Sequence, residues 1–215
     1  MLKPDAASTQ LQKWYERLAP LAENARARLK EMSPDRVRQC AGCTLDGPNG
    51  WSLTYQWNRY TIHPSDWSIH EADTGEIPTE FTQALLLTYL VTADGTPPSG
   101  QWIAYRDLPD GMFYAQAFRG YAENRLVREL GDGGLELFRT RAKALDGRAI
   151  EIGDAGYAFA ALPRVHLAAV YWLGDEDFPS RTSILFEDTC SHYLSTDGLA
   201  VMGSHLVNAL LRSNV

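Results

Sequence analysis

Apolar residues near the start of the chain recur every three or four positions, which is the spacing of an amphipathic helix. The pattern covers residues 8–30, and Pro20 within it is expected to kink or divide the helix. Ser33 and Pro34 then form a typical helix start, so a short second helix is predicted from Pro34 towards Cys40.

A second pattern, rich in aromatic and β-branched residues, begins after the Gly-Pro-Asn-Gly turn at residues 47–50. The strands that it predicts cover residues 51–57, 59–63 and 67–72. Short connections between such runs are typical of a meander of antiparallel strands. Thr79 can then cap a helix over residues 80–92, which is apolar on more than one side and is therefore expected to be buried.

The second half of the chain contains helix-like and strand-like runs in separate groups. Residues 112–130 predict the longest uninterrupted helix, with Asp110 available to cap it, and residues 135–145 predict another amphipathic helix. A terminal helix is predicted from about residue 197 to residue 212. The strands predicted in this half cover residues 101–106, 149–152, 157–162, 167–173 and 182–186.

Strands in sequence-adjacent groups with short turns predict an α+β fold rather than strict alternation of strand and helix. We expect a mainly antiparallel sheet with helices packed on one face. The predicted organisation is an N-terminal amphipathic helix within residues 1–32, followed by a single domain over residues 33–215. A Rossmann fold or a P-loop is not expected, since neither glycine-rich phosphate motif is present.

Composition and charge narrow the classes of function. Hydrophobic residues make up 45% and charged residues 22%, as in an ordinary globular protein. The formal net charge of −7 argues against nucleic acid as a partner, because phosphate backbones bind clustered Lys and Arg. No apolar run approaches the ~20 residues that span a bilayer, so no membrane partner is expected. Three cysteines, an odd number, favour a reducing compartment, and the expected location is cytoplasmic.

The first candidate site is the pair Cys40 and Cys43, whose spacing places two sulfurs within reach of one metal ion or of each other. A tetrahedral zinc site needs two more ligands, and Cys190 is the one other cysteine in the chain. The alternative is that both residues are small apolar side chains packed where a helix meets a turn.

A second candidate site follows from the turn composition of residues 174–180, which predicts a β-hairpin. If Leu173 pairs near Arg181, the antiparallel register places Asp188 opposite His166. One end of the sheet then carries imidazole, carboxylate and thiol groups, which suit a transition-metal site or a Cys/His pair for nucleophilic chemistry. The residues gathered there are Arg164, His166, Glu187, Asp188, Cys190 and His192.

Ordinary structural roles compete with this interpretation. Asp188 can be a helix N-cap, His192 can be a surface residue, and Arg164 beside a carboxylate can be an ion pair. An error of one residue in the register would also exchange the two faces.

The acidic turn at residues 175–177, with Asp154 as a neighbour, is a third candidate site, since its carboxylates can bind a hard cation. The alternative is a set of solvated turn residues with capping roles.

The chain is rich in aromatic residues, including 6 Trp and 10 Tyr, and packing on the sheet explains most of them. Some can instead line a pocket for a flat cofactor such as a tetrapyrrole, with a histidine as axial ligand. Spacing selects none of the histidines, which are His63, His70, His166, His192 and His205. The candidate cofactor-binding residues are His166, His192 and Trp172, and the candidate metal ligands are Cys40, Cys43, Asp188 and Cys190.

Several motifs follow one another in a recognisable order. They are YLVTADGTPPSGQW at residues 89–102, LPR at 162–164, YWLGDEDFP at 171–179, ILFED at 184–188 and Tyr-Leu at 193–194. From about Pro34 onward the chain thereby resembles a family known only as a domain of unknown function. The resemblance implies relatives that are frequent in anaerobic bacteria and archaea, some with an added iron–sulfur-type cysteine segment, and a setting near redox or one-carbon metabolism. That segment is missing here apart from Cys40 and Cys43.

Together these observations predict a binding or accessory protein for a metal-containing or flat aromatic, tetrapyrrole-like cofactor. Two alternatives stay open. One is a small-molecule enzyme that uses a Cys/His/carboxylate site, and the other is a non-catalytic protein-interaction subunit. The expected ligand is a metal ion, a tetrapyrrole or another small molecule.

Overall fold

The computed structural model of the chain describes residues 20–47, 50–131 and 133–212. Backbone contacts divide the chain into two compact units. The first ends at Thr96 and also contains His192–Leu194, and the second contains Pro97–Ser191 and the chain from Ser195 onward. Each unit has an antiparallel sheet and helices, so the predicted α+β class and antiparallel pairing are confirmed. The division into residues 1–32 and a single domain over residues 33–215 stays a prediction.

The first unit contains a four-stranded antiparallel meander in the order β1-β2-β3-β4. Its strands are β1 (Thr44–Asp46), β2 (Gly50–Tyr55), β3 (Asn58–His63) and β4 (Ser68–Glu71). Its helices are α1, described over residues 20–30, α2 (Pro34–Ala41) and α3 (Glu80–Thr92). The predicted meander is confirmed, and β1 is an additional strand that pairs with β2. Residues 8–19 of the predicted first helix lie outside the described residues.

Local sequence explains where α2 and α3 begin and end. Pro34 lies at the start of α2, and Gly42 ends it in the left-handed conformation (φ 67°), with its N–H bonded to the carbonyl of Arg38. The Thr79 side chain accepts a hydrogen bond from the N–H of Thr82 at 3.2 Å and caps α3, as predicted. Most of the α3 side chains are buried, which agrees with the apolar sequence of this helix.

The turn between β2 and β3 is tighter than predicted. Gln56 and Trp57 both have positive φ, of 46° and 70°, and the strand predicted to reach Trp57 ends at Tyr55. A two-residue hairpin turn favours this left-handed conformation, which neither residue type signals in the sequence.

The second unit contains a five-stranded antiparallel sheet in the order β5-β9-β8-β7-β6. Its strands are β5 (Trp102–Ala104), β6 (Arg148–Ile150), β7 (Ala155–Leu162), β8 (Val165–Trp172) and β9 (Arg181–Glu187). Its helices are α4 (Ala115–Phe118), α5 (Asn124–Leu130), α6 (Gly134–Ala144) and α7 (Thr196–Arg212). β8 is central and is buried along nearly its whole length, which explains why its sequence is apolar without alternation.

α6 and α7 lie close to their predicted positions. α6 packs on the sheet through Phe138, whose ring centre lies 5.8 Å from those of Tyr157 on β7 and Tyr171 on β8. None of the helices in the described ranges is long and apolar enough to cross a lipid bilayer.

The prediction of one uninterrupted helix over residues 112–130 is wrong. A 3₁₀ turn at Gly111–Phe113 precedes α4, and a π-helical turn at Arg119–Glu123 separates α4 from α5. Asp110 does not act as the predicted cap, since its φ is 58° and its side chain makes no capping hydrogen bond.

The π turn has a tertiary cause in its contacts with β9. The Glu123 carbonyl accepts a hydrogen bond from Thr182 Oγ1 at 2.6 Å, and the Glu123 carboxylate accepts one from the Ile184 N–H at 3.1 Å. Burial raises the pKa of the Glu123 carboxyl, although the bond from Ile184 acts in the opposite direction. Because the partners are distant in the chain, the apolar spacing of residues 112–130 carries no sign of the wider turn.

α7 packs closely on the end of α4. A Cβ atom added at Gly203 would lie 2.8 Å from Phe118 Cζ and 3.4 Å from Ile184 Cγ2. Phe118 is 1% exposed and stacks on Tyr105 with ring centres 4.3 Å apart, so its ring has little room to move.

Gly203→Ala is therefore expected to lower the free energy of unfolding by about 1–3 kcal/mol, as overpacking of a filled core does. Urea denaturation of the purified variant measures this change. Gly120→Ala is the matched control, because no heavy atom lies within 4 Å of the Cβ atom that it would add. A Gly203→Ala variant at least as stable as Gly120→Ala would contradict this packing.

Candidate functional site

The β8–β9 hairpin is present, but its register differs by one residue from the predicted one. Trp172 pairs with Arg181 and Leu167 pairs with Phe186, so continuation of the register places His166 opposite Glu187 rather than Asp188. The predicted pairing of His166 with Asp188 is therefore wrong. Turn composition locates a hairpin but does not determine how many residues its loop takes, and one residue exchanges the faces.

Glu187 is the centre of a hydrogen-bond cluster at the end of β9. Its side chain is 2% exposed. Oε1 accepts hydrogen bonds from the Ser99 N–H, from Ser99 Oγ at 3.0 Å and from the Gly100 N–H at 2.8 Å. Oε2 accepts bonds from the Thr189 N–H at 3.0 Å and from the Thr189 hydroxyl. This carboxylate fixes the Ser99–Gly100 backbone to the start of the segment that follows β9.

The ionised form of Glu187 is favoured by these contacts. Burial alone would raise its pKa, but the hydrogen bonds from Thr189, Gly100 and Ser99 outweigh burial and hold the pKa below the ordinary glutamate value. The single hydroxyl hydrogen of Ser99 is shared with the neighbouring Asp188, whose Oδ1 lies 2.5 Å from Ser99 Oγ. The geometry is that of a structural anchor, since the donors around Glu187 belong to the chain itself.

Cys190 and His166 do meet, but through the backbone. The Cys190 thiol donates a hydrogen bond to the His166 carbonyl at 3.3 Å. Burial raises the pKa of Cys190 to about 12, so the group is a thiol rather than a thiolate at neutral pH. Burial also lowers the pKa of His166, and the Glu187 charge acts in the opposite direction. A buried neutral thiol is a poor nucleophile and a poor metal ligand. Either role predicted for Cys190 would require the thiolate, which these surroundings disfavour.

Cys40 and Cys43 lie at the end of α2, where the sequence places them. Cys43 is 5% exposed, and burial raises its pKa to about 12 against a smaller opposing effect of Arg38. Cys40 is half-buried, and neither residue forms a disulfide. Within residues 20–47, 50–131 and 133–212, no group of three or more His, Cys, Asp and Glu side chains is arranged to hold a metal ion. The described structure thus gives no support to a site in which a bare ion takes all its ligands from this chain.

His192 forms the arrangement that is best suited to binding a metal or transferring a proton. It belongs to the first unit, where its Nδ1 lies 2.6 Å from Asp94 Oδ2 and 3.3 Å from Thr96 Oγ1. A carboxylate accepts, so Nδ1 carries the proton and donates to Asp94. The two side chains are 46% and 48% exposed, so solvent and ligands can reach the pair.

Asp94 is prepared for this bond by its own backbone. Its Oδ1 accepts the N–H of Thr96 at 2.8 Å, which fixes the carboxylate within the turn. The hydrogen bond from His192 and, next, the bond from Thr96 lower the pKa of Asp94 to about 2. The carboxylate is therefore ionised at neutral pH.

Packing beneath the pair holds the backbone of both partners. Tyr193 is fully buried, its hydroxyl donates to the Thr96 carbonyl, and its ring centre lies 6.0 Å from that of Tyr89. Tyr89 in turn donates to the Ala41 carbonyl at 2.6 Å. Gly95, at φ 89°, leaves only 3.2 Å between a hypothetical Cβ and Cys40 Sγ, so a side chain there would displace the turn.

The family to which these residues belong can now be stated. The sequence profile of a family described as a domain of unknown function (DUF3786) matches residues 33–209, well over half of the chain. The chain belongs to the DUF3786 family. The resemblance inferred from the motifs is thereby confirmed at the level of the family, and Asp94, Glu187 and His192 all lie inside the DUF3786 match. No curated protein and no solved structure matches the DUF3786 chain.

Two other predicted groups in this DUF3786 chain have structural partners. Arg181 lies over the Trp172 ring at 4.2 Å from its centre, which occupies one face of the indole. In the acidic turn, Asp175 Oδ1 accepts the N–H groups of Asp177 and Phe178, which is the capping role weighed as the alternative. Asp154 accepts the N–H of Leu173 at 2.8 Å.

Asp94 is the residue that sequence reasoning missed. It lies in the first of the family motifs, over residues 89–102, and 98 positions separate it from His192. The available signal was that both residues fall within or beside motifs of the same family, at residues 89–102 and 193–194. That signal indicates that each residue matters in the family, but it does not show that the two residues are in contact.

Proposed function

We propose that this protein binds a metal-containing, flat, tetrapyrrole-like cofactor as a non-catalytic binding or accessory protein, with His192 as the axial ligand. The hydrogen bond from His192 Nδ1 to Asp94 carries this proposal. Histidines that ligate metals almost always donate their other ring N–H to a carboxylate, a carbonyl or water, which fixes the ring and raises its basicity. Nε2 of His192 is then the nitrogen that faces the metal.

A macrocycle suits the His192 site better than a bare ion. A structural zinc or similar site requires three or four protein ligands, and the described residues contain no group of three. A tetrapyrrole supplies four ring nitrogens of its own, so the protein needs to add one axial ligand. A single well-oriented imidazole meets that requirement, and Trp172 already stacks with Arg181.

The proposed setting is redox or one-carbon metabolism in the cytoplasm of anaerobic organisms, which rests on the sequence resemblance and its expected iron–sulfur-bearing relatives. Unpaired thiols at Cys40, Cys43 and Cys190 are compatible with a reducing compartment. The chain's net charge of −7 favours a cofactor or small molecule over nucleic acid as its partner.

A second candidate function uses the same two residues. A histidine held through Nδ1 by an ionised aspartate is also the arrangement of a general base with its orienting carboxylate. In that case His192 Nε2 removes a proton from a small-molecule substrate. This version of the enzyme hypothesis replaces Cys190, whose pKa of about 12 makes it a poor nucleophile.

Titration of the untagged protein with haem and with a cobalt corrinoid that lacks its own nitrogen base tests the proposal. Uptake of one equivalent of either compound, with a visible spectrum typical of axial nitrogen ligation, is the expected result. A protein that leaves both spectra unchanged at saturating concentration overturns the cofactor proposal and favours the acid–base alternative.

A further inference from the structure

The first unit carries a pair of histidines on neighbouring strands. In the β3–β4 register Thr61 pairs with His70 and His63 pairs with Ser68. Because side chains alternate along a strand, His63 and His70 lie on the same face of the sheet as diagonal neighbours. The opposite face carries the buried Ile62 and Ile69, and the two histidines are half-buried.

The two rings are close enough to converge on one ion. Their centres lie 5.6 Å apart, and their planes are inclined at 69°. A zinc–nitrogen bond of about 2.0–2.1 Å places the centre of each ligating imidazole about 3 Å from the ion. Two rings at such a distance from a shared ion have their centres separated by roughly 5–6 Å, which agrees with this pair.

The tautomer of His70 suits metal binding. Its Nδ1 lies 3.1 Å from the Gly75 carbonyl, which can only accept, so Nδ1 donates and Nε2 keeps its lone pair. The turn that presents this carbonyl is itself ordered, since the Gly75 N–H bonds to the Glu71 carbonyl at 2.8 Å and Glu71 N–H bonds to the Glu76 carbonyl at 2.9 Å. A carbonyl behind the ligating histidine is one of the usual outer partners of a metal site.

Asp66 supplies an anion beside the pair, and Arg59 on the same strand is a cation that is paired with Asp73. Hydrogen bonds from Ser68 are the main reason that the pKa of Asp66 is lowered, and the charge of His63 adds a smaller contribution. Asp66 is therefore an anion close to His63 at neutral pH.

We propose that His63 and His70 form an open site for a divalent first-row transition-metal ion. Two imidazole nitrogens, one of them His70 Nε2, are the protein ligands, and water or a small ligand fills the other positions. Imidazole ligands bind Cu²⁺ more tightly than Zn²⁺ or Ni²⁺. The inference does not depend on the proposed cofactor function.

Calorimetric titration of the full chain with Cu²⁺ and with Zn²⁺ tests the site. His63→Ala and His70→Ala are each expected to weaken binding at least about tenfold, because each leaves a single imidazole. The double variant is expected to bind neither ion at this site, since each single variant keeps one imidazole ligand and the double variant keeps none. Thr54→Ala, at an exposed position of the same sheet, is the control that keeps wild-type affinity.

Electron paramagnetic resonance of the Cu²⁺ complex provides an independent readout. Hyperfine splitting from two imidazole nitrogens in the wild type, and from one in each single variant, is expected. Wild-type protein that binds neither ion, single variants that bind as well as the wild type, or a double variant that keeps the nitrogen splitting of the wild type would each overturn the proposal. Urea denaturation of each variant verifies that it is folded.

Discussion

Replacement of Glu187 with alanine is expected to lower the free energy of unfolding by about 3 kcal/mol or more. The substitution leaves the N–H groups of Ser99, Gly100 and Thr189 without the carboxylate that they contact. Hydrogen bonds to a charged group contribute about 1.5–3 kcal/mol each, and the buried Glu187 carboxylate accepts several of them. Urea denaturation measures the loss, and Glu136→Ala is the control because that carboxylate is 76% exposed in its pair with Arg139.

The contribution of Glu187 to the free energy of unfolding is also expected to depend on pH. Since the pKa of Glu187 is lowered in the folded protein, its stabilising effect is complete above the unfolded-state value of about 4.3 and is lost as the pH falls through the folded value. The stability difference between the wild type and Glu187→Gln is therefore expected to shrink as the pH falls below about 4. A Glu187→Ala variant no less stable than Glu136→Ala, or a difference independent of pH, would contradict the anchoring role.

Replacement of His192 with alanine is expected to weaken tetrapyrrole binding by at least about 100-fold, since loss of an outer-shell partner alone costs about 10–100-fold. The side chain is 46% exposed, so its truncation should leave the fold intact. Spectrophotometric titration measures the affinity, and urea denaturation verifies the fold.

Two companion experiments separate ligation from packing. Asp94→Asn keeps the shape of the partner but removes its charge, and it is expected to weaken binding by about 10–100-fold. Imidazole added to His192→Ala should restore the nitrogen-ligated spectrum, because it supplies the missing ligand from solution. If His192→Ala binds like the wild type, or if imidazole has no effect on its spectrum, the axial role is excluded.

Features set by a few adjacent residues were predictable from the sequence. Pro34 starts α2, Thr79 caps α3, and the turn over residues 174–180 joins two antiparallel strands, as expected. Each of these signals acts through the backbone of its own neighbourhood, so no tertiary information is needed.

Features set by distant partners were not predictable in the same way. The π turn at Arg119–Glu123 depends on bonds with Thr182 and Ile184, and the hairpin register depends on the core that β8 enters. The three-residue strand β1 is too short for an alternating pattern. Local propensity is overridden wherever tertiary contacts supply the larger free energy.

In the candidate site, too, contacts between residues distant in the chain were harder to predict from the sequence. Cys190 lies beside His166, as the predicted hairpin implied, although the contact runs from the thiol to a backbone carbonyl. His192 was also selected, but its partner Asp94 was not, because the two residues are 98 positions apart along the chain. Burial, which determines that Cys190 is a neutral thiol, is likewise visible only in three dimensions.

The central claim is that His192 is the axial ligand of a bound cofactor, and electron paramagnetic resonance tests it most directly. The protein is labelled with ¹⁵N-histidine and loaded with a cobalt(II) corrinoid that lacks its own base, and its electron paramagnetic resonance spectrum is recorded. The account predicts a nitrogen triplet in unlabelled protein that becomes a doublet on labelling and disappears in His192→Ala. A water-ligated spectrum in the wild type, or a nitrogen signal that persists in His192→Ala, would contradict it.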